Sequence, residues 1–144
     1  MTYTIGEVAK KLGVATSTLR FYDKEGLLPF VSRSEGGVRV FREEDLNWLS
    51  TIQCLKCTGM SIQEIRRYID LSLQGDETIG ERMELIDRRR AAVQDQIAQL
   101  QKTLRTLDYK HWYYETALAA GTVDVLADLP LDQVPCEFRD MRKK

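Results

Sequence analysis

Residues 4–26, TIGEVAKKLGVATSTLRFYDKEG, predict two short helices joined by a tight glycine-containing turn. Thr4 and Glu7 have the spacing of a capping box, which begins a helix, and Gly13 supplies the backbone freedom that ends one. A second helix is predicted over about residues 16–25. The pattern fits a helix-turn-helix, but an ordinary αα-hairpin is its commoner product and stays open at this point.

A basic β-hairpin is predicted directly after these helices. Two β-prone runs, Leu27–Val31 and Val38–Phe41, flank the polar segment SRSEGG, whose adjacent glycines allow the positive φ angles of a tight turn. Arg33 and Arg39 lie on opposite arms of this hairpin. A basic hairpin after a helix-turn-helix is typical of a wing, from which arginines reach phosphates or a narrow minor groove.

Two further helices complete the N-terminal half of the chain. The first is predicted over residues 43–58, with acidic residues in its first turn, where the helix dipole stabilises negative charge. The second begins with the capping pair Ser61 and Glu64 and continues over residues 62–73, with apolar side chains along one face. A domain boundary is predicted at Gly75.

A long coiled-coil helix is predicted from Ile79 to Leu118. Alternating steps of four and three residues visit twelve positions, of which ten are apolar or aromatic, and no glycine or proline interrupts residues 81–120. At ~1.5 Å per residue this helix extends roughly 60 Å and cannot bury its own apolar stripe. We therefore expect a homodimer, because folding back on its own N-terminal domain offers too little surface. The twelve heptad positions are Ile79, Met83, Ile86, Arg90, Val93, Ile97, Leu100, Leu104, Leu107, His111, Tyr114 and Leu118.

The predicted domains are residues 1–75, 76–120 and 121–144.

Charge is unevenly distributed along a chain that is nearly neutral as a whole. The 144 residues carry 21 Lys and Arg against 22 Asp and Glu. Residues 1–42 hold seven basic and four acidic side chains, a net charge of +3, whereas residues 76–144 hold eleven and thirteen, a net charge of −2. The basic excess thus coincides with the predicted helix-turn-helix and wing, where a polyanion would bind.

Several classes of protein are disfavoured by composition and motifs. Three cysteines, no apolar leader and no apolar run long enough to span a bilayer favour a cytoplasmic protein with reduced thiols and no membrane partner. A single histidine disfavours a histidine metal centre. Neither a nucleophile–base set nor a phosphate-binding glycine loop indicates an enzyme, and we expect no cofactor.

The motifs along residues 3–75 resemble, in their order, the MerR family of bacterial transcription regulators, and the resemblance extends into the long helix. The resemblance implies a mainly α-helical protein: a winged helix-turn-helix followed by an antiparallel coiled-coil dimerisation helix. It further implies a homodimer that binds an inverted repeat in double-stranded promoter DNA and bends and untwists an overlong spacer for RNA polymerase. The motifs are TIGEVA at residues 4–9, TLRFYDKEGLL at 18–28, RVF at 39–41 and EEDL at 43–46.

The same resemblance implies which side chains contact DNA. Hydroxyl residues open the second helix, where they reach base edges or phosphates, while Arg20 and Tyr22 match positions that hold backbone phosphates. Leu19 and Phe21 are expected in the core. Arg42 stands where the family often has a capping serine. The implied DNA contacts are Thr16, Ser17, Thr18, Arg20, Tyr22, Arg33 and Arg39.

The resemblance also bears on the inducer. Metal-sensing members carry cysteines at both ends of the dimerisation helix, but residues 75–79 and 119–122 contain none, so we expect no metal site. The segment from Cys54 to Met60 is similar to the subgroup that responds to aldehydes, quinones or thiol oxidants through a thiol at the Cys54 position. The alternative is that Cys54 is a small buried hydrophobic residue.

A non-covalent ligand and a role away from DNA also stay open from the sequence. The regulator could respond to a ligand in an apolar pocket between the tail and the coiled coil, lined by Trp112, Tyr113 and Tyr114. In a different class, the chain could be a coiled-coil adaptor that does not bind DNA.

Overall fold

The computed structural model describes residues 1–142, and most of these residues are α-helical. Lys143 and Lys144, which end the predicted tail domain, lie outside the described residues. The strands are β1 (Thr2–Tyr3), β2 (Ser32–Arg33) and β3 (Arg39–Arg42). The helices are α1 (Ile5–Leu12), α2 (Thr16–Lys24), α3 (Glu43–Cys57), α4 (Ile62–Gln74), α5 (Ile79–Ala120), α6 (Asp124–Ala127) and α7 (Arg139–Arg142), with single 3₁₀ turns at Asp76–Thr78, Leu131–Gln133 and Cys136–Phe138.

Contacts divide the described residues into two compact units, one from Met1 to Val93 and a second that begins at Gln94. The boundaries predicted at residues 75 and 120 stay predictions. None of the helices among residues 1–142 combines the length and the hydropathy that crossing a lipid bilayer requires.

The predicted pair of N-terminal helices is confirmed. The Thr4 hydroxyl accepts from the backbone N–H of Glu7, and the Glu7 carboxylate accepts from the backbone N–H of Thr4 at 2.7 Å. This second bond stabilises the ionised carboxylate, so it lowers the pKa of Glu7. Gly13 ends α1 with φ at 67°, and α2 begins three residues later.

The wing is present, although its first arm lies further along the chain than the sequence predicts. β2 and β3 are antiparallel, with Ser32 opposite Val40 and Arg33 opposite Arg39. The predicted arm Leu27–Val31 is not a strand, because Leu27 and Leu28 are buried in the core instead of pairing with β3. β1, which the sequence does not predict, pairs with the other edge of β3.

One apolar core holds the helices and the sheet of the first unit together. Leu19 and Tyr22 of α2 pack with Phe41 of β3 and with side chains from α1, α3 and α4. Burying an aliphatic or aromatic side chain of this size stabilises the fold by ~1.5–3 kcal/mol. The expected burial of Leu19 is confirmed, but that of Phe21 is wrong: 45% of Phe21 is exposed, because two residues along a helix turn a side chain to the opposite face.

Helices α3 and α4 match the predicted ranges closely. Buried Asp45 accepts a hydrogen bond from the backbone N–H of Arg42 at 2.7 Å, so an acid in the first turn satisfies the donor that begins α3. In α4, Leu71 is buried and Leu73 is exposed. The chain turns back at this point, where the buried Thr78 hydroxyl donates to the backbone carbonyl of Leu71.

The start of α5 is attached to the first unit by arginine contacts. Arg89 Nε donates to the carbonyl oxygen of Thr58 at 2.6 Å, and Arg67 of α4 pairs with Glu81 at 2.9 Å. Gly59 adopts φ +83° beside Arg89, and a Cβ there would lie 2.6 Å from its Nη2. These contacts explain why the first compact unit continues to residue 93.

In the second unit, the tail folds back on α5. Phe138 is buried with its ring centroid 5.8 Å from that of Tyr109 and 6.1 Å from that of Trp112. Arg105 pairs with Asp140 at 2.6 Å. The tail also contains the short helix α6, in which Leu126 is buried.

A single carboxylate joins the wing to α2. Asp23 Oδ2 accepts from Arg33 Nη2 at 3.0 Å and from Arg39 Nε at 2.7 Å. Arg33 also donates to the carbonyl oxygen of Gly37 at 3.1 Å, which holds the turn of the hairpin. The last turn of α2 therefore determines the position of both arms of the wing.

Replacing Asp23 by Asn should loosen the wing without unfolding the unit. Losing charge-assisted bonds at this partly exposed site should cost about 1–2 kcal/mol of unfolding free energy. Amide hydrogen exchange should become faster in β2 and β3, as measured by mass spectrometry after pepsin digestion.

The matched control is Asp70→Asn, because Asp70 is an exposed acid on α4. If exchange in the hairpin is the same for both variants, Asp23 does not hold the wing.

Candidate nucleic-acid interface

The outward face of α2 consists mainly of polar and basic side chains. Ser17, Arg20, Phe21 and Lys24 are exposed and follow helical spacing, while Leu19 and Tyr22 are buried on the other side. Such a helix presents two cations and a hydroxyl on one surface, as a helix in the major groove does.

Sequence reasoning missed Lys24 and the exposure of Phe21. The signal for both was the helical period: once Leu19 and Tyr22 belong to the core, positions 17, 20, 21 and 24 face outwards.

The first turn of α2 brings the three predicted hydroxyl residues together. Ser17 is exposed, and Thr16 and Thr18 are half-buried. Ala15 precedes them and makes no side-chain cap, so the first turn carries the partial positive charge of a helix N-terminus. Hydroxyl groups and backbone N–H groups at such a terminus are suited to a phosphate.

Tyr22 lies apart from this exposed surface. Its side chain is buried in the core, and burial raises the pKa of its phenol. The hydroxyl therefore remains protonated and able to donate a hydrogen bond at neutral pH. Its contact with a phosphate stays a prediction.

The wing arginines Arg33 and Arg39 lie side by side, but they are not equally accessible to a binding partner. The side chain of Arg33 is 53% exposed and that of Arg39 is 22% exposed, and both pair with Asp23. Arg39 has two nitrogen atoms within 2.7 Å of the same carboxylate oxygen. Arg39 thus fixes the wing, whereas Arg33 is the arginine with a surface free to meet a partner.

Asp23 is the residue of this site that the sequence did not indicate. It lies 10 and 16 residues from its partners, and no local pattern shows which acid will meet which base. The positive charges of Arg33 and Arg39 outnumber the single negative charge of Asp23. Arg20 and Lys24 add two exposed positive charges, so these five residues together carry a net positive charge.

Both thiols of α3 lie on the surface. Cys54 and Cys57 are exposed, so the alternative that Cys54 is a buried hydrophobic residue is wrong for the described chain. Within residues 1–142, no group of three or more His, Cys, Asp or Glu side chains could hold a metal ion.

Comparisons with known proteins agree with this geometry. The domain described as the MerR HTH family regulatory protein matches residues 3–72, and the domain described as MerR, DNA binding matches residues 46–109. An uncharacterized HTH-type transcriptional regulator of Haemophilus influenzae is 48% identical over 135 residues, which cover 94% of this chain and 98% of that protein.

Solved structures give the same result. The crystal structure of HiNmlR, a MerR family regulator lacking the sensor domain and bound to promoter DNA, is 48% identical with a TM-score of 0.65, covering 90% of this chain and 98% of that one. A MerR family regulator from Bacillus thuringiensis is 46% identical with a TM-score of 0.62, covering 76% and 96%. These relatives are regulators and not enzymes, and they also set aside the interpretation as an adaptor that does not bind DNA. The chain therefore belongs to the MerR family of helix-turn-helix transcription regulators and binds DNA through its winged N-terminal unit.

Proposed function

We propose that this regulator acts as a homodimer on an inverted repeat in promoter DNA, which it bends and untwists for RNA polymerase in the cytoplasm. The observation that carries the proposal is the joined surface of α2 and wing, in which Asp23 fixes the basic hairpin to a helix that exposes Arg20 and Lys24. The similar protein HiNmlR was crystallised on promoter DNA.

The DNA contacts divide between the helix and the wing. Arg20, Ser17 and the flanking threonines are proposed to contact the major groove and its phosphates, and Tyr22 to donate to a phosphate. Arg33 is proposed to meet the backbone or the minor groove beside it, while Arg39 positions Arg33 through Asp23.

Dimerisation is supported by the uncovered apolar stripe of α5. The described chain leaves most of the predicted heptad positions exposed, and Leu104 alone is 56% exposed. Burying one leucine of this kind contributes ~1.5–3 kcal/mol, so several together strongly favour a second helix as the cover. A two-fold dimer places its two α2 helices in opposite directions, which matches an inverted repeat.

The proposal that the protein distorts DNA is supported by the contacts that attach α5 to the DNA-binding unit. The bond between Arg89 and Thr58 and the pair between Arg67 and Glu81 hold the first turns of α5 against α3 and α4. The wing and α2 belong to a unit that is fixed to α5, so they impose their own spacing on the duplex. The free energy of deforming the DNA then contributes to the transcriptional response.

The proposed switch is modification of the Cys54 thiol by an electrophile or oxidant. Cys54 is exposed and therefore reachable, and it lies on the helix that packs against α2 through the common core. Cys57, at the end of the same helix, lies near Tyr22 of α2, so the C-terminal part of α3 is close to that helix. A bulky or charged adduct on this helix would therefore act close to the DNA-binding helix.

Arg20→Ala should weaken binding to DNA of any sequence and flatten its salt dependence. A dimer that loses two phosphate contacts should lose about 2 from the slope of log affinity against log salt concentration. Fluorescence anisotropy with the duplex from the gene's own promoter, between low and moderate KCl, measures both effects.

Arg88→Ala is the control, because Arg88 is an exposed arginine of α5. An unchanged slope for Arg20→Ala would contradict the proposed phosphate contact.

Leu104→Glu should convert the dimer into a monomer, because a charge would replace an apolar contact in the proposed interface. Sedimentation velocity measures the change of mass, and circular dichroism checks that the helices persist. Thr106→Glu adds the same charge two residues away on the other side of α5 and should leave the dimer intact. Equal masses for the two variants would show that the heptad positions are not the interface.

Cys54→Ser should abolish induction by an aldehyde or a thiol oxidant while operator affinity stays the same. Transcription in vitro from the cognate promoter, with and without formaldehyde or diamide, measures the response. Cys57→Ser is the matched control, since its thiol is also exposed on α3. Normal induction of the Cys54→Ser protein rules out the thiol switch.

A further inference from the structure

A cavity of about 370 Å³ lies in the second unit between α5 and the tail. Tyr109, Trp112 and Tyr113 of α5 form one side, and side chains of α6 together with Arg142 form the other. This volume falls in the range of small-molecule sites. Trp112 and Tyr113 are residues that the sequence assigns to a pocket, whereas Tyr114 is mostly exposed at a heptad position of α5.

Arg142 lines this cavity and has an unused hydrogen-bond donor. Its Nη2 donates to the backbone carbonyl oxygens of Leu126 and Ala127, and both of these residues line the cavity. Its Nη1 is buried and has no hydrogen-bond partner within the part of the chain that the structure describes. A guanidinium with one nitrogen that lacks an acceptor is unfavourable, and Arg142 lines the cavity, so an acceptor with negative charge is favoured beside it.

The opposite wall of the cavity is aromatic and supported from behind. The Tyr109 ring centroid lies 6.0 Å from that of Trp112 and 6.5 Å from that of Tyr113. Buried Phe138 contacts the rings of Tyr109 and Trp112, so these walls are held in place. Rings at such separations offer faces and edges against which another planar ring can stack.

The charges around the cavity favour an anion over a cation. Lys110 Nζ lies 5.4 Å from the Tyr113 centroid and 5.9 Å from that of Tyr109, so its positive charge already occupies the neighbourhood of these rings. Asp124 supplies one negative charge against Lys110 and Arg142. A cationic ligand would leave Arg142 Nη1 unpaired and add repulsion.

We propose that this cavity binds a small planar aromatic carboxylate. Its ring stacks on Tyr109 and Trp112, and its carboxylate pairs with the guanidinium of Arg142. The site is a non-covalent one, separate from Cys54, and it does not depend on how the protein acts on DNA.

The test is a titration of the full-length protein with benzoate. Trp48→Phe leaves Trp112 as the single tryptophan, because the chain has two, and its fluorescence then reports on the cavity. We expect a saturable change with benzoate, and at least tenfold weaker binding of benzamide, which lacks the charge, and of cyclohexanecarboxylate, which lacks the planar ring.

Arg142→Met should weaken benzoate binding at least tenfold, and Ala127→Leu, which fills the cavity without removing a partner, should do the same. Lys102→Met removes one exposed cation from α5 and should bind benzoate as the parent does. Circular dichroism establishes that each variant folds. Absence of saturable benzoate binding, equal binding of benzamide, or unchanged affinity in both cavity variants would each overturn the proposal.

Discussion

The burial of Leu19 and Tyr22 on one side of α2 is the constraint on which the DNA-binding surface depends. These two side chains fix the rotation of the helix about its own axis, and the rotation decides that Arg20 and Lys24 face outwards. Asp23 lies between the two faces, where its carboxylate reaches the hairpin. One packing requirement therefore orients the helix and, through a single acid, places the wing.

Helix α5 has two apolar faces, and each of them must be covered by other side chains. Towards the C-terminus, Tyr109, Trp112 and Phe138 join it to the tail, while Leu104 and Leu118 are left uncovered on another side. A helix of 42 residues with an apolar stripe is stable only when that stripe is covered. The tail covers one face within the chain, and the proposed partner covers the other.

Features governed by neighbouring residues were predictable from the sequence, and those governed by distant contacts were not. The capping pair Thr4–Glu7 and the heptads of α5 involve residues within a turn or two, so composition and spacing reveal them. The partners of Asp23 lie many residues away. The burial of Leu27 also depends on the assembled core, which removed it from the predicted strand.

The close contact between Gly59 and Arg89 constrains which residue can stand at position 59. Arg89 occupies the space that any side chain at residue 59 would need, and the glycine adopts a backbone conformation that other residues seldom tolerate. A larger residue at 59 would displace the arginine that attaches α5 to the DNA-binding unit. The way in which α5 joins the rest of the first unit therefore depends on a residue that has no side chain.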